Sequence, residues 1–209
     1  MKGLLFITHQ TGRFDYLQSV EIALKGGCKQ IQLRIKDLPQ APITVIAEEA
    51  KELCSRYNAD LYIDDYVDIC KRIFAKGIHL GKNDMNIKEA RNVLGSDFII
   101  GGTANTFEDI QLLHENGVDY VGLGPFRFTT TKKNLSPVLG LEGYREILNK
   151  CIETNITLPV LAIGGITIDD ISEIMDTGVS GIALSSTILE AGDPVREVEM
   201  IIKIINKYL

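Results

Sequence analysis

The strongest constraint on this chain is an alternation: short apolar runs are separated by longer segments with helically spaced apolar residues, eight times within 209 residues. The runs read LLFITH from Leu4, then QIQLR, DLYID, GIHLG, FIIGGT, YVGLG, PVLAIGG and GIALSS. Between them the spacing predicts helices over Tyr16 to Lys25, Ile43 to Tyr57 and a short stretch ending at Phe74. Further helices are predicted over Ile87 to Leu94, Thr106 to Glu115, Gly140 to Asn155, Ile168 to Asp176 and Pro194 to Tyr208. In the second helix Ile43, Ile46, Ala47, Ala50, Leu53 and Cys54 form one face at a period of about 3.6 residues.

Local signals agree with this division. Thr106 with Asp109, and Thr167 with Asp170, are near-matches to a capping box, and Gly117 and Gly178 close helices just before the next strand. Runs such as FIIGG and PVLAIGG are apolar throughout, as strands are when helices cover the sheet. Eight such units close most simply into a single-domain (β/α)8 TIM barrel over residues 1–209, near the short end of the roughly 200 to 400 residues typical of that fold. The main rival is an open doubly wound sheet. Against it, no G-x-G-x-x-G follows the first strand, where the chain reads THQTGRF.

Composition excludes whole classes. With 45% hydrophobic and 24% charged residues the chain is not disordered, and no apolar run approaches the ~20 residues of a membrane span. The N-terminal apolar stretch is too short for a signal peptide. A formal charge of −6 disfavours a nucleic-acid partner, so any anionic ligand must be met by a local group of cations. Cys28, Cys54, Cys70 and Cys151 are scattered, which disfavours a disulfide framework or zinc site and fits a reducing cytoplasm. Helix-covered barrels often self-associate, so a homo-oligomer stays open.

Barrel chemistry collects at the C-terminal ends of the strands. The second strand ends in Gln32, Arg34 and Lys36, whose alternate spacing turns all three to one side. The third ends in Asp64 and Asp65, and the fourth carries His79 with Asp84 in its loop. Carboxylates from neighbouring strand ends suit Mg2+, which takes one or two of them together with water and phosphate oxygens. The competing reading has Asp65 and Asp84 merely starting helices. His79 reads as a hydrogen-bonded barrel residue, and nothing resembles a nucleophile–base pair. The loop GLGPFRFTTTKKN presents Arg127, Thr129, Thr130, Thr131, Lys132 and Lys133, a set able to close over an anion. Gly165 after the seventh strand, and Ser185 and Ser186 after the eighth, occupy the usual phosphate position of the fold.

Seven segments in register, QLRIKD, YIDDYVD, IHLGKNDM, IIGGTANT, GLGPFRFTTTKK, PVLAIGGI and GIALSS, resemble the thiamine-phosphate synthase (thiamine-phosphate pyrophosphorylase) family from Gln32 to Ser186. The resemblance implies a barrel enzyme, a transferase, that condenses 4-amino-2-methyl-5-hydroxymethylpyrimidine pyrophosphate with 4-methyl-5-(2-phosphooxyethyl)thiazole, or its carboxylated form. The products are thiamine phosphate and pyrophosphate. It further implies that Arg34 and Lys36 hold the pyrophosphate, with Gln32 near the pyrimidine, and that Asp65 and Asp84 bind Mg2+. Thr103 would touch the pyrophosphate or pyrimidine, and Lys132 would close over the leaving group. Thr129, Thr131, Gly165, Ser185 and Ser186 would receive the thiazole phosphate. The chain departs from the family pattern at several positions: Asp64 stands for Asn, Tyr66 for Arg, Thr103 for Ser, Asn105 for His, and Lys82-Asn83 for Gln-Glu. Asp64 would repel pyrophosphate unless protonated or metal-bound. Two alternatives stay in view. One is the related thiazole tautomerase, which relies on a histidine where Asn105 stands; the other is a barrel that binds thiamine precursors without turnover.

Overall fold

Eight parallel strands, each hydrogen-bonded to the next in chain order, close when β8 pairs with β1. They are β1 (Gly3–Ile7), β2 (Gln30–Leu33), β3 (Asp60–Asp64), β4 (Gly77–Leu80), β5 (Ile99–Ala104), β6 (Tyr120–Leu123), β7 (Val160–Ile163) and β8 (Gly181–Leu184). The computed structural model describes residues 1–36, 38–128 and 137–209. Around the barrel run α1 (Tyr16–Lys25), α2 (Gln40–Arg56), α3 (Val67–Arg72), α4 (Ile87–Leu94), α5 (Phe107–Glu115), α6 (Gly140–Glu153), α7 (Ile171–Met175), α8 (Ser186–Leu189) and α9 (Pro194–Ile205). The expected (β/α)8 barrel is therefore the fold.

The two-residue period of each strand divides the molecule into an outer and an inner core. On β3, Leu61 and Ile63 pack outward in the layer shared with the helices, among Ile43, Ala47, Ala50 and Cys54 of α2. Tyr62 points inward, where it joins Leu5, Ile7, Tyr120, Leu161 and Ala183. Each fully buried Leu or Ile contributes roughly 1.5–3 kcal/mol, so the large outer layer supplies most of the cohesion. The inner core is narrow, and one glycine decides its packing. A Cβ at Gly101 would lie 2.1 Å from Cζ of Tyr120, so only glycine admits that ring beside β5. Tyr62 then meets the Tyr120 ring edge-on, 6.2 Å between centroids.

Helix ends follow local chemistry. Thr106 and Thr167 form the expected capping boxes with Asp109 and Asp170, and Asp15 forms another with Gln18. Gly117 and Gly178 take φ of +81° and +95°, the left-handed conformation that turns the chain out of a helix. α2 starts at Gln40, three residues before the predicted Ile43. Its first turn is exposed, so it leaves no apolar mark, and Pro42 is tolerated there because first-turn amides have no helical acceptor. The seventh predicted helix divides into a 3-10 turn over Ile168–Asp170 followed by α7. The single turn of α8 is too short to show a period and escapes sequence reading.

Candidate functional site

At the end of β2, Gln32 is buried and its Nε2 donates to Oδ1 of Asp64 at 2.6 Å. Thr8 extends the β1–β2 ladder: its amide donates to the Gln32 carbonyl, and its Oγ1 accepts from the Arg34 amide at 2.9 Å. Fixed in this way, Arg34 Nε lies 3.6 Å and Lys36 Nζ 3.2 Å from Oδ2 of Asp64. The Asp64 carboxylate is thus flanked by two cations and a side-chain amide. Its charge is answered before any ligand arrives.

Consecutive strand residues normally face opposite ways, yet Asp64 and Asp65 both reach the mouth. Asp65 adopts φ +66°, a left-handed conformation that aspartate tolerates better than most residues. Its amide is held by the His79 carbonyl at 3.0 Å, which turns the side chain toward Lys36 and Asp84. Asp84 accepts from the Gly81 amide at 2.7 Å and shares a hydrogen bond with Asp65. Burial, the contact with Asp84 and the charge of Asp64 push the Asp65 carboxyl up to about 7 against the pull of Lys36. Burial acts to raise Asp84 too, but the hydrogen bonds from Asp65 and Gly81 and the charge of Lys36 hold it below the usual range. Burial lowers Lys36, and the two neighbouring carboxylates outweigh it, so its pKa rises.

Two carboxylates that share one proton at adjacent strand ends are a donor set for a hard cation. Among the described residues no group of three or more His, Cys, Asp or Glu could hold a metal. Two carboxylates at an open mouth fit Mg2+, which keeps water and phosphate oxygens as its other ligands.

Inside the mouth, His79 Nε2 lies 3.0 Å from Thr103 Oγ1 and Nδ1 lies 3.1 Å from the Tyr120 hydroxyl. This bears out His79 as a hydrogen-bonded barrel residue. A cavity of about 640 Å3 opens beside it, lined among others by Arg34, His79, Thr103, Asn105, Gly165 and Ser185. The Asn105 amide donates to the Gly124 carbonyl at 2.5 Å.

The far wall of the cavity is built from the ends of β7 and β8. Gly164 and Gly165 have φ of +96° and +68°. A Cβ on Gly165 would come within 2.8 Å of the Arg127 carbonyl oxygen, so this close approach of two loops requires glycine. Arg127 is not a free cation of this loop, as its sequence position suggested. It forms a bidentate pair with Asp170 at 2.8 and 2.9 Å and donates to the Gly165 carbonyl, pinning the β6 loop to the turn after β7. Burial would raise Asp170, but Arg127 and Thr167 stabilise its charged form and bring it to about 2.

Ser185 also carries a commitment that the sequence did not reveal. Its hydroxyl donates to the Ile7 carbonyl at 2.6 Å and meets Nδ1 of His9 at 2.6 Å. With its proton engaged on Ile7, Ser185 accepts from His9, and its own hydroxyl proton is not available to a ligand. Burial, reinforced by Arg34, lowers the His9 pKa against the pull of Glu190. His9 ends the first apolar run and could have been found by searching every strand end alike. Thr129, Thr131 and Lys132 lie outside the described residues.

Comparison with known proteins gives a consistent result. Residues 4–188 match the family model described as thiamine monophosphate synthase. The chain is 57% identical to a thiamine-phosphate synthase of Bacteroides fragilis over 98% of this chain and all of that one. It is 51% identical to a thiamine-phosphate synthase of Flavobacterium johnsoniae, over 86% of this chain and 84% of the relative. Among solved structures, a thiamine phosphate pyrophosphorylase of Pyrococcus furiosus superposes with a TM-score of 0.87 at 34% identity, covering 99% of this chain and 96% of that one.

Proposed function

The chain belongs to the thiamine monophosphate synthase family and is a transferase of thiamine biosynthesis, and we propose how its barrel mouth divides the work of that reaction. The pyrimidine pyrophosphate lies along Gln32, Arg34, Lys36 and Thr103, and the thiazole phosphate lies in the cup of Gly165, Ser185 and Ser186 with Thr129 and Thr131. The observation that carries this reading is one cavity running from Arg34 and Thr103 to Gly165 and Ser185, beside a cluster of two cations and three carboxylates.

In the reaction the bond between the pyrimidine methylene carbon and the pyrophosphate oxygen breaks, and the electron pair leaves with pyrophosphate. The electron-rich aminopyrimidine stabilises the methylene cation, and the thiazole nitrogen lone pair closes the new C–N bond. Arg34 and Lys36 meet the charge growing on the leaving oxygens, where preorganised cations are worth most. By the family resemblance, Lys132 would supply a further positive charge to the same group. Asp65 and Asp84 would hold Mg2+, which when bound supplies charge neutralisation to the pyrophosphate. Holding the two reactants in line contributes much of the remaining acceleration. The bond-forming step needs no general base at the thiazole nitrogen. Asn105, whose amide is engaged by Gly124, offers none, which speaks against the tautomerase alternative. With Ser185 Oγ engaged, the phosphate is received there by backbone amides rather than by that hydroxyl.

Incubation with both substrates, with Mg2+ or with chelator, followed by oxidation of the product to fluorescent thiochrome, tests the reading. Mg2+-dependent thiamine phosphate is the expected result. Binding of the thiazole phosphate without any product would overturn it. Asp65→Ala and Asp84→Ala should each remove the dependence on Mg2+ together with most of the turnover.

A further inference from the structure

We infer that Tyr120 and His79 are positioning residues that fix the Thr103 hydroxyl as a hydrogen-bond donor toward the bound pyrimidine pyrophosphate. The inference rests on the substrate placement given above and extends it to two residues that touch no substrate there.

Each proton in this chain of groups needs an acceptor. Tyr120 is fully buried among Leu5, Ile7, Tyr62, Leu161 and Ala183. Among the described residues its hydroxyl has one hydrogen-bond partner, Nδ1 of His79 at 3.1 Å. A buried hydroxyl proton without an acceptor is costly. If Nδ1 carried a proton and donated to the phenol oxygen, the phenol proton would be left in an apolar core. The lower-energy arrangement has Tyr120 donating to Nδ1, which makes Nδ1 an acceptor and places the imidazole proton on Nε2. Nε2 then donates to Thr103 Oγ1 at 3.0 Å. Thr103 is therefore the acceptor in that pair, and its own proton remains for another partner. Among the described residues His79 is the hydrogen-bond partner of this hydroxyl, and Thr103 lines the cavity. The proton that Thr103 has to give thus calls for an acceptor atom on the substrate, a phosphate oxygen or a ring nitrogen.

The packing supports a fixed ring. A Cβ on Gly122 would lie 3.1 Å from Cε1 of His79, so β6 presents a glycine where the imidazole lies. The His79 and Tyr120 rings are 5.6 Å apart between centroids. The relay runs across β4, β5 and β6, so the barrel itself sets its geometry.

The chain has three histidines, which makes side-chain nitrogen NMR tractable, with His79→Gln to assign the resonance. Wild-type protein should show His79 as the neutral Nε2–H tautomer, and Tyr120→Phe should shift it toward Nδ1–H. Tyr120→Phe and Thr103→Val should each raise KM for the pyrimidine pyrophosphate ~10-fold and leave KM for the thiazole phosphate unchanged. The double variant should lose no more than either single one, and Thr103→Ser should keep the wild-type value. An Nδ1–H or doubly protonated His79 in the wild type overturns the inference, as does an additive double variant. The tautomer and the coupling, measured by calorimetric binding of the pyrimidine pyrophosphate, decide the inference whether or not the wild type turns over. Absence of turnover in the wild type counts only against the reaction.

Discussion

Replacing Asp64 by Asn tests how the mouth balances its charge. The amide oxygen can still accept from Gln32, so the 2.6 Å contact survives and the shape is unchanged. What disappears is a negative charge 3.2 Å from Lys36 and 3.6 Å from Arg34. At the shorter distance a unit pair attracts by ~5 kcal/mol at an effective dielectric of ~20. A pyrophosphate held on the far side of those cations lies ~6 Å from Asp64, where the net charge of about −1 that would be left beside Mg2+ is repelled by ~2–3 kcal/mol at that dielectric. Water in the open mouth screens roughly half of this. Asp64→Asn should therefore lower KM for the pyrimidine pyrophosphate by ~10-fold, with kcat preserved or improved. The same change deprives Arg34 of its carboxylate partner and leaves Lys36 paired with Asp65 alone, at a cost of about 1 kcal/mol, or a fall in Tm of ~2–4 °C that the pyrophosphate substrate should reverse. Initial rates against pyrimidine pyrophosphate at saturating thiazole phosphate, and melts with and without substrate, measure both effects. A fall in kcat/KM beyond ~100-fold would refute the reasoning and give the carboxylate a positive role.

Three further outcomes follow from the geometry. Gly101→Ala places a methyl 2.1 Å from the Tyr120 ring and should destabilise the barrel by about 2–4 kcal/mol in denaturant unfolding. Gly165→Ala combines φ +68° with a clash against the Arg127 carbonyl oxygen; it should raise KM for the thiazole phosphate more than for the pyrimidine pyrophosphate. Asp170, held down to about 2, loses its proton more readily folded than unfolded, so its pairing with Arg127 stabilises fully above pH ~4 and is lost as pH falls toward 2. Asp170→Asn should accordingly be less stable than wild type at pH 7, and the gap should close on acidification, as followed by denaturant unfolding at each pH.

The fold was legible because its information is local. FIIGGT and PVLAIGG declare buried strands by themselves, and Thr106 and Thr167 cap their helices through residues three positions away. The candidate site was legible where strand ends carry charge, as at Arg34, Lys36, Asp65 and Asp84. It was not legible where a side chain is committed to a distant partner. Arg127 reads as a ligand cation until Asp170, 43 positions on, is seen to hold it. Ser185 reads as a phosphate hydroxyl until the Ile7 carbonyl, 178 positions away, takes its proton. Gly101 reads as a generic strand glycine until Tyr120 fills the space it leaves. Residue type shows what a group can do, and only the closed barrel shows whether that capacity is already spent.

Counting by twos along the strands recovers one further division of the site. The inward positions nearest the mouth are Gln32, Asp64, His79 and Thr103 on β2 to β5, all polar and linked in pairs by hydrogen bonds. On β6, β7, β8 and β1 the corresponding positions are Gly122, Ile163, Ala183 and Ile7, apolar or without a side chain. The mouth is thus half hydrogen-bonding and half apolar. A charged pyrophosphate with its aminopyrimidine requires the first half, because every donor and acceptor it buries must be answered. A thiazole ring requires the second, with the glycine turn of β7 above it for the phosphate tail. On the proposed placement, one turn of the barrel would sort the two reactants by chemistry before geometry brings them together.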